Sequence, residues 1–156
     1  MLRTPAPLKG ALGSIAMPRL ALLRRMAIAA LLFAFVLPLT KCTSTSKDGV
    51  TTVDYQYPFE HVVDGIKAIT ANETDKLDSI VLAALTMAVF FLPAAIAGSR
   101  VRIQSITHIF LAVPAEWLVY EWTTIGTPQA GGIIAMSCWA MLFIVAVLTL
   151  RAKDAA

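Results

Sequence analysis

The sequence predicts an all-α protein, a small multi-pass transmembrane helical bundle of three spans plus an N-terminal signal or anchor helix, with a short outer loop segment. Three observations carry this reading. Hydrophobic residues make up 58% of the chain and charged residues 15%, a balance outside the soluble range. The apolar residues are gathered into runs, and residues 80–98 and 131–150 contain no charge at all. Each run matches the ~20 residues that an α-helix rising ~1.5 Å per residue needs to cross a hydrocarbon core of ~30 Å. Finally, all seven arginines (Arg3, Arg19, Arg24, Arg25, Arg100, Arg102 and Arg151) fall in three zones at alternate positions between the runs. Cytoplasmic flanks retain Lys and Arg, so the chain is threaded with both termini inside.

Residues 1–41 form the signal peptide or signal-anchor. The run at 26–40 follows Arg24 and Arg25 directly and is short for a span, and a basic flank, a short apolar stretch and a Ser/Thr-rich exit form the anatomy of a secretory signal. An internal Met17 offers a more ordinary start. Leu39, Thr40, Lys41 and Cys42 resemble a bacterial lipobox, with Lys41 departing from the pattern, which makes Cys42 the candidate lipidation site. The alternative is an uncleaved anchor in which Cys42 is a free thiol. The acid-free, Arg-bearing start also suits a mitochondrial presequence, but Pro5, Pro7 and Pro18 break the amphipathic helix such a presequence needs. The bacterial inner membrane is the expected location.

Residues 42–78 are polar, with seven acids against three lysines, and are too short to bury a core alone. The stretch from Cys42 to Gly49 reads as a flexible linker. Val53, Tyr55, Tyr57 and Phe59 alternate with polar residues, a short-strand pattern. Val62, Ile66 and Ile69 recur at helical spacing and suit a helix lying on the membrane surface, weakened by Gly65. Asp75 and Asp78 would complement the dipole of the next helix. His61 is expected to be exposed or packed on the aromatics. Asn72, Glu73 and Thr74 spell a glycosylation sequon that matters only in a eukaryotic secretory pathway.

Residues 79–156 hold three spans. The middle one, 103–122, is the least apolar, carrying Gln104, His108, Pro114, Glu116 and Glu121. Were it not to cross, Arg151 and Lys153 would fall outside, so a crossing is expected, with a re-entrant hairpin as the alternative. Gln104 and His108 then lie near the cytoplasmic boundary, while Tyr120, Glu121 and Trp122 anchor the outer interface. Glu116 lies six residues inward of Trp122, a depth of roughly 9 Å. An acid in hydrocarbon costs ~2.5–3.5 kcal/mol on insertion scales, so a partner is expected. Counting the same depth along the other spans reaches Thr86 and Ser137. Glu116, Thr86 and Ser137 therefore form a candidate intramembrane polar layer, either as interhelical glue or as a proton or cation site. Pro114 frees the carbonyl of Phe110. Residues 127–129 supply a tight turn between the last two spans. Ala84 with Ala88, Ala94 with Gly98, and Gly131 with Ala135 fit small-xxx-small packing.

No catalytic, nucleotide-binding or metal motif is present, and Cys42 and Cys138 are unsuited to pair. The expectation is a protein that is not an enzyme, with no cofactor, no metal and no nucleic-acid partner. Its partners are the lipid bilayer and other membrane subunits or copies of itself. The leading function is a structural or accessory subunit of a membrane complex. The alternatives are an oligomeric channel, holin-like or transporter component using Glu116, and a lipid-anchored envelope protein modified at Cys42.

Overall fold

The computed structural model describes residues 9–46, 48–71 and 76–154. Arg3, Pro5 and Pro7, the sequon at 72–74 and Asp75 lie outside them. The described chain runs α1 (Lys9–Ala34), β1 (Thr40–Thr45), β2 (Thr51–Gln56), α2 (Pro58–Thr70), α3 (Leu77–Ala95), α4 (Val101–Thr124), β3 (Thr127–Pro128) and α5 (Ala130–Asp154). Among the described residues five helices hold 75%, and a small three-stranded sheet joins them, which corrects the all-α expectation. Two stretches, Leu77–Ala95 and Ala130–Ala152, are long and apolar enough to cross a membrane.

Helix α1 runs through Pro18, so that proline does not break it. Its second half packs on α5, and α4 packs on the same helix. Ala27, Ile28, Leu31 and Ala34 enter one core with Val89 and Phe90 of α3, Val119 of α4, and Trp139 and Leu142 of α5. Phe35, just past α1, meets Phe90 and Phe91 edge-on with ring centroids 5.8 and 4.9 Å apart.

The sheet order is β2-β1-β3, all antiparallel, with Thr40 opposite Gln56 on one side and Pro128 on the other. The segment expected to be a flexible linker is thus a strand. Its cause is the Asp48-Gly49 turn, where Gly49 adopts φ +76° and the amide of Ser46 donates to the Val50 carbonyl at 2.8 Å. Hydroxyl pairs across the ladder, Ser44 with Thr52 at 2.8 Å and Thr45 with Thr51 at 3.4 Å, suit an exposed Thr-rich hairpin. Val53 and Tyr55 lie in β2, whereas Tyr57 caps α2 and Phe59 falls inside it. The 127–129 turn does more than reverse the chain, because Thr127 and Pro128 extend the sheet along β1.

Helix α2 packs against α3 through Pro58, Gly65 and Ala68. Gly65 is the contact point rather than a flaw, since a Cβ there would collide with the Cβ of Ala83. The apolar stripe Phe59, Val63, Ile66 and Ile69 stays exposed, opposite Glu60, Asp64 and Lys67. Asp78 occupies the first turn of α3, where its charge complements the helix dipole.

A buried arginine junction and an acidic groove

Two sites stand out, and the first begins at Arg24. This residue is only 6% exposed, although the sequence reads it as a flank in water. Its Nη1 donates to Oε1 of Gln104 at 2.7 Å, and its Nη2 donates to the hydroxyls of Ser105 at 3.1 Å and Thr149 at 3.2 Å. Two of these acceptors, Gln104 and Thr149, are held in turn. Both amide hydrogens of Gln104 are spent on the carbonyls of Ala97 and Ser99, at 2.6 and 2.7 Å, so its oxygen faces Arg24. Thr149 donates to the Val145 carbonyl at 2.6 Å, leaving its lone pairs for the guanidinium. Among the described residues no carboxylate takes part. The carbonyls of Ala97 and Ser99 lie in the loop just past α3, and Thr149 lies near the end of α5, so the network gathers that loop, α4 and α5 around α1. His108, one turn beyond Gln104, is fully buried and close enough to feel the Arg24 charge, with neither ring nitrogen hydrogen-bonded among the described residues.

These contacts bring the residues flanking Arg25, Arg100, Arg102 and Arg151 to one end of the bundle. The sheet, the end of α4 and the start of α5 form the other. The alternation of arginines along the sequence is therefore a clustering in space. The sequence carries one signal for the junction: Gln104, Ser105 and His108 share one face of a helix whose other positions are mostly apolar.

The second site is a groove of about 430 Å³ between α4 and α5, lined among others by Glu116, Trp117, Tyr120, Met136, Trp139 and Phe143. Glu116 is half-buried and carries no hydrogen bond or ion pair to any described residue. Trp139 is 1% exposed, and its indole N–H has no partner among the described residues. Its ring also walls a smaller apolar pocket of about 110 Å³ beside Leu111, Pro114 and Leu118.

The structure does not join the expected polar layer. Thr86 is buried but bonds the Leu82 carbonyl of its own helix at 2.7 Å. Ser137 is exposed and bonds the Ile133 carbonyl at 2.8 Å. Neither reaches Glu116. Equal counts along separate spans fix depth but not the face a residue presents, and hydroxyls in helices satisfy themselves on their own backbone. The 103–122 run lies in one continuous helix, with no re-entrant hairpin. Of the outer anchors, Tyr120 and Glu121 are exposed, while Trp122 is buried against His61 with ring centroids 5.7 Å apart. Trp122 turns inward because α2 covers it. Burial pushes the His61 imidazolium below its ordinary pKa, with Glu60 and Asp64 opposing the shift.

Cys42 is a half-buried free thiol in the middle of β1, opposite Asp54, and Cys138 is buried in α5. Of the small-xxx-small pairs, Ala84, Ala88 and Gly98 are exposed, whereas Gly131 and Ala135 are buried. Among the described residues no group of three or more His, Cys, Asp or Glu side chains is placed to hold a metal. No known protein family, curated protein or solved structure matches the chain.

Proposed function

We propose that the protein is a non-catalytic integral protein of the bacterial inner membrane, with α1, α3, α4 and α5 all crossing and both termini in the cytoplasm. In this reading it works as a structural or accessory subunit of a membrane complex. The observation that carries the proposal is the inverted polarity of α4. Its residues Phe110, Val113 and Trp117 are 76%, 71% and 64% exposed, while Gln104, Ser105 and His108 on the same helix are buried. In water that arrangement exposes oil and buries polar groups at a net cost; in lipid it is favourable. Met26 and Phe33 of α1, Val81 and Leu85 of α3, and Ile144 and Leu148 of α5 continue the exposed apolar girdle. The exposed stripe of α2 suits the membrane surface.

The packing of α1 supports a retained anchor rather than a cleaved signal. Removing residues 1–41 would strip Leu31, Ala34 and Leu39 from the core and Arg24 from its three acceptors. Intact mass of the membrane-extracted protein tests this, since an uncut, unacylated chain supports the anchor and a chain beginning with an acylated Cys42 contradicts it. Gentle detergent extraction followed by identification of co-migrating proteins tests the subunit role. Defined partners in stable proportion support that role, and a lone monomer contradicts it.

The Glu116 groove favours a second reading, in which the bundle is a channel-like or transporter component. A single carboxylate without a protein partner, beside apolar and aromatic walls, is the arrangement of an intramembrane cation or proton site. Replacing Glu116 with Gln leaves an accessory subunit working and abolishes ion-coupled transport.

A further inference from the structure

We infer that the groove between α4 and α5 binds an amphipathic organic cation, an ammonium or phosphonium centre carried on an apolar body, taken from the lipid phase. The inference deepens the second reading above and rests on it. The groove is about 430 Å³, within the range of sites for drug-sized molecules. Among the described residues Glu116 is the one ionisable carboxylate in its lining, and no lysine, arginine or histidine lines it. The carboxylate has no hydrogen bond or ion pair from any described residue, so the ligand supplies the counter-charge that the protein does not. Around it stand Trp117, Tyr120, Trp139 and Phe143, whose ring faces attract cations and whose bodies receive apolar groups. A small inorganic cation would keep its water and gain little from these walls. A neutral lipid chain would fill the groove while leaving the Glu116 carboxyl group without a polar partner.

The test uses the full chain purified in lipid nanodiscs and two probes of matched size and opposite charge, tetraphenylphosphonium and tetraphenylborate. Trp117 and Trp139 lie in the groove, so tryptophan fluorescence reads occupancy. The expected result is saturable quenching by tetraphenylphosphonium and none by tetraphenylborate. Affinity falls about tenfold or more in Glu116→Gln, stays within a few-fold in Glu116→Asp, and is lost in Ala140→Leu, which fills the groove from an exposed apolar position. Equal affinity of Glu116→Gln and the unsubstituted protein overturns the inference. So does equal binding of the borate, which marks a groove that merely dissolves apolar rings, or a dimer of the chain that covers the groove and excludes the cation. Binding is measured on purified protein and ion-coupled transport in intact cells, so a failure of binding is distinct from a failure of the transport reading.

Discussion

The guanidinium of Arg24 donates to Oε1 of Gln104 at 2.7 Å across 80 residues of sequence, and this bond ties α1 to the start of α4 where the loop leaves α3. A residue that sequence logic assigns to the water side is spent inside the bundle on three uncharged acceptors. The arginine zones thus play two parts. Arg25, Arg100, Arg102 and Arg151 remain exposed, whereas Arg24 holds the ends of the helices together.

Replacing Arg24 with Met removes charge-assisted bonds to Gln104, Ser105 and Thr149 and leaves Gln104 Oε1 buried without a donor. Thermal unfolding in mild detergent should show a loss of about 2–4 kcal/mol. Arg25→Met, an exposed neighbour, should shift stability by no more than about 0.5 kcal/mol.

Phe110→Arg distinguishes lipid from water around α4. At a position 76% exposed, a soluble bundle would tolerate arginine freely. A membrane helix should lose about 2.5–3.5 kcal/mol, read as a fall in protein retained after alkaline extraction of membranes. Val50→Arg, at the hairpin tip, should leave retention unchanged.

Gly65→Val forces a side chain into Ala83 and the Ser79 carbonyl, so α2 should swing off α3. Overpacking of this kind costs about 1–3 kcal/mol. Limited proteolysis should cut within α2 in the variant and spare it in the unsubstituted chain.

The His61–Trp122 contact makes the docking of α2 depend on pH. Burial lowers the imidazolium pKa in the docked state, so that state binds fewer protons than the undocked one. Docking strength is therefore full above the ordinary histidine value of about 6.5 and is lost as pH falls through it toward the lowered value. Proteolysis of α2 should quicken from pH 7.5 to pH 5, and His61→Phe should remove most of that difference.

Part of this architecture is legible because helices apolar enough to cross a membrane are written in long apolar runs, and α3 and α5 fall within a few residues of them. Helix α2 was legible from Val62, Ile66 and Ile69. What escaped was governed by tertiary contact. The hairpin lay hidden in a stretch of Ser and Thr, although Asp48-Gly49 marked its turn. Arg24 reads as a flank in the sequence because sequence shows spacing and not which way a side chain turns. The hydroxyls of Thr86 and Ser137 bond their own helices rather than Glu116 for the same reason, since depth alone does not make residues face each other. Glu116 as a singular residue was legible, but its groove was not, because Trp139 and Phe143 come from another helix.

In the proposed topology α4 crosses the membrane as the third of four spans. A reporter fused after Ala156, active only in the cytoplasm, tests it most directly, paired with one active only outside. Four crossings place the C-terminus in the cytoplasm, and that is the predicted result. If α4 lies outside the bilayer, α5 becomes the next crossing after α3 and the C-terminus emerges on the outer face, a result that would contradict the account.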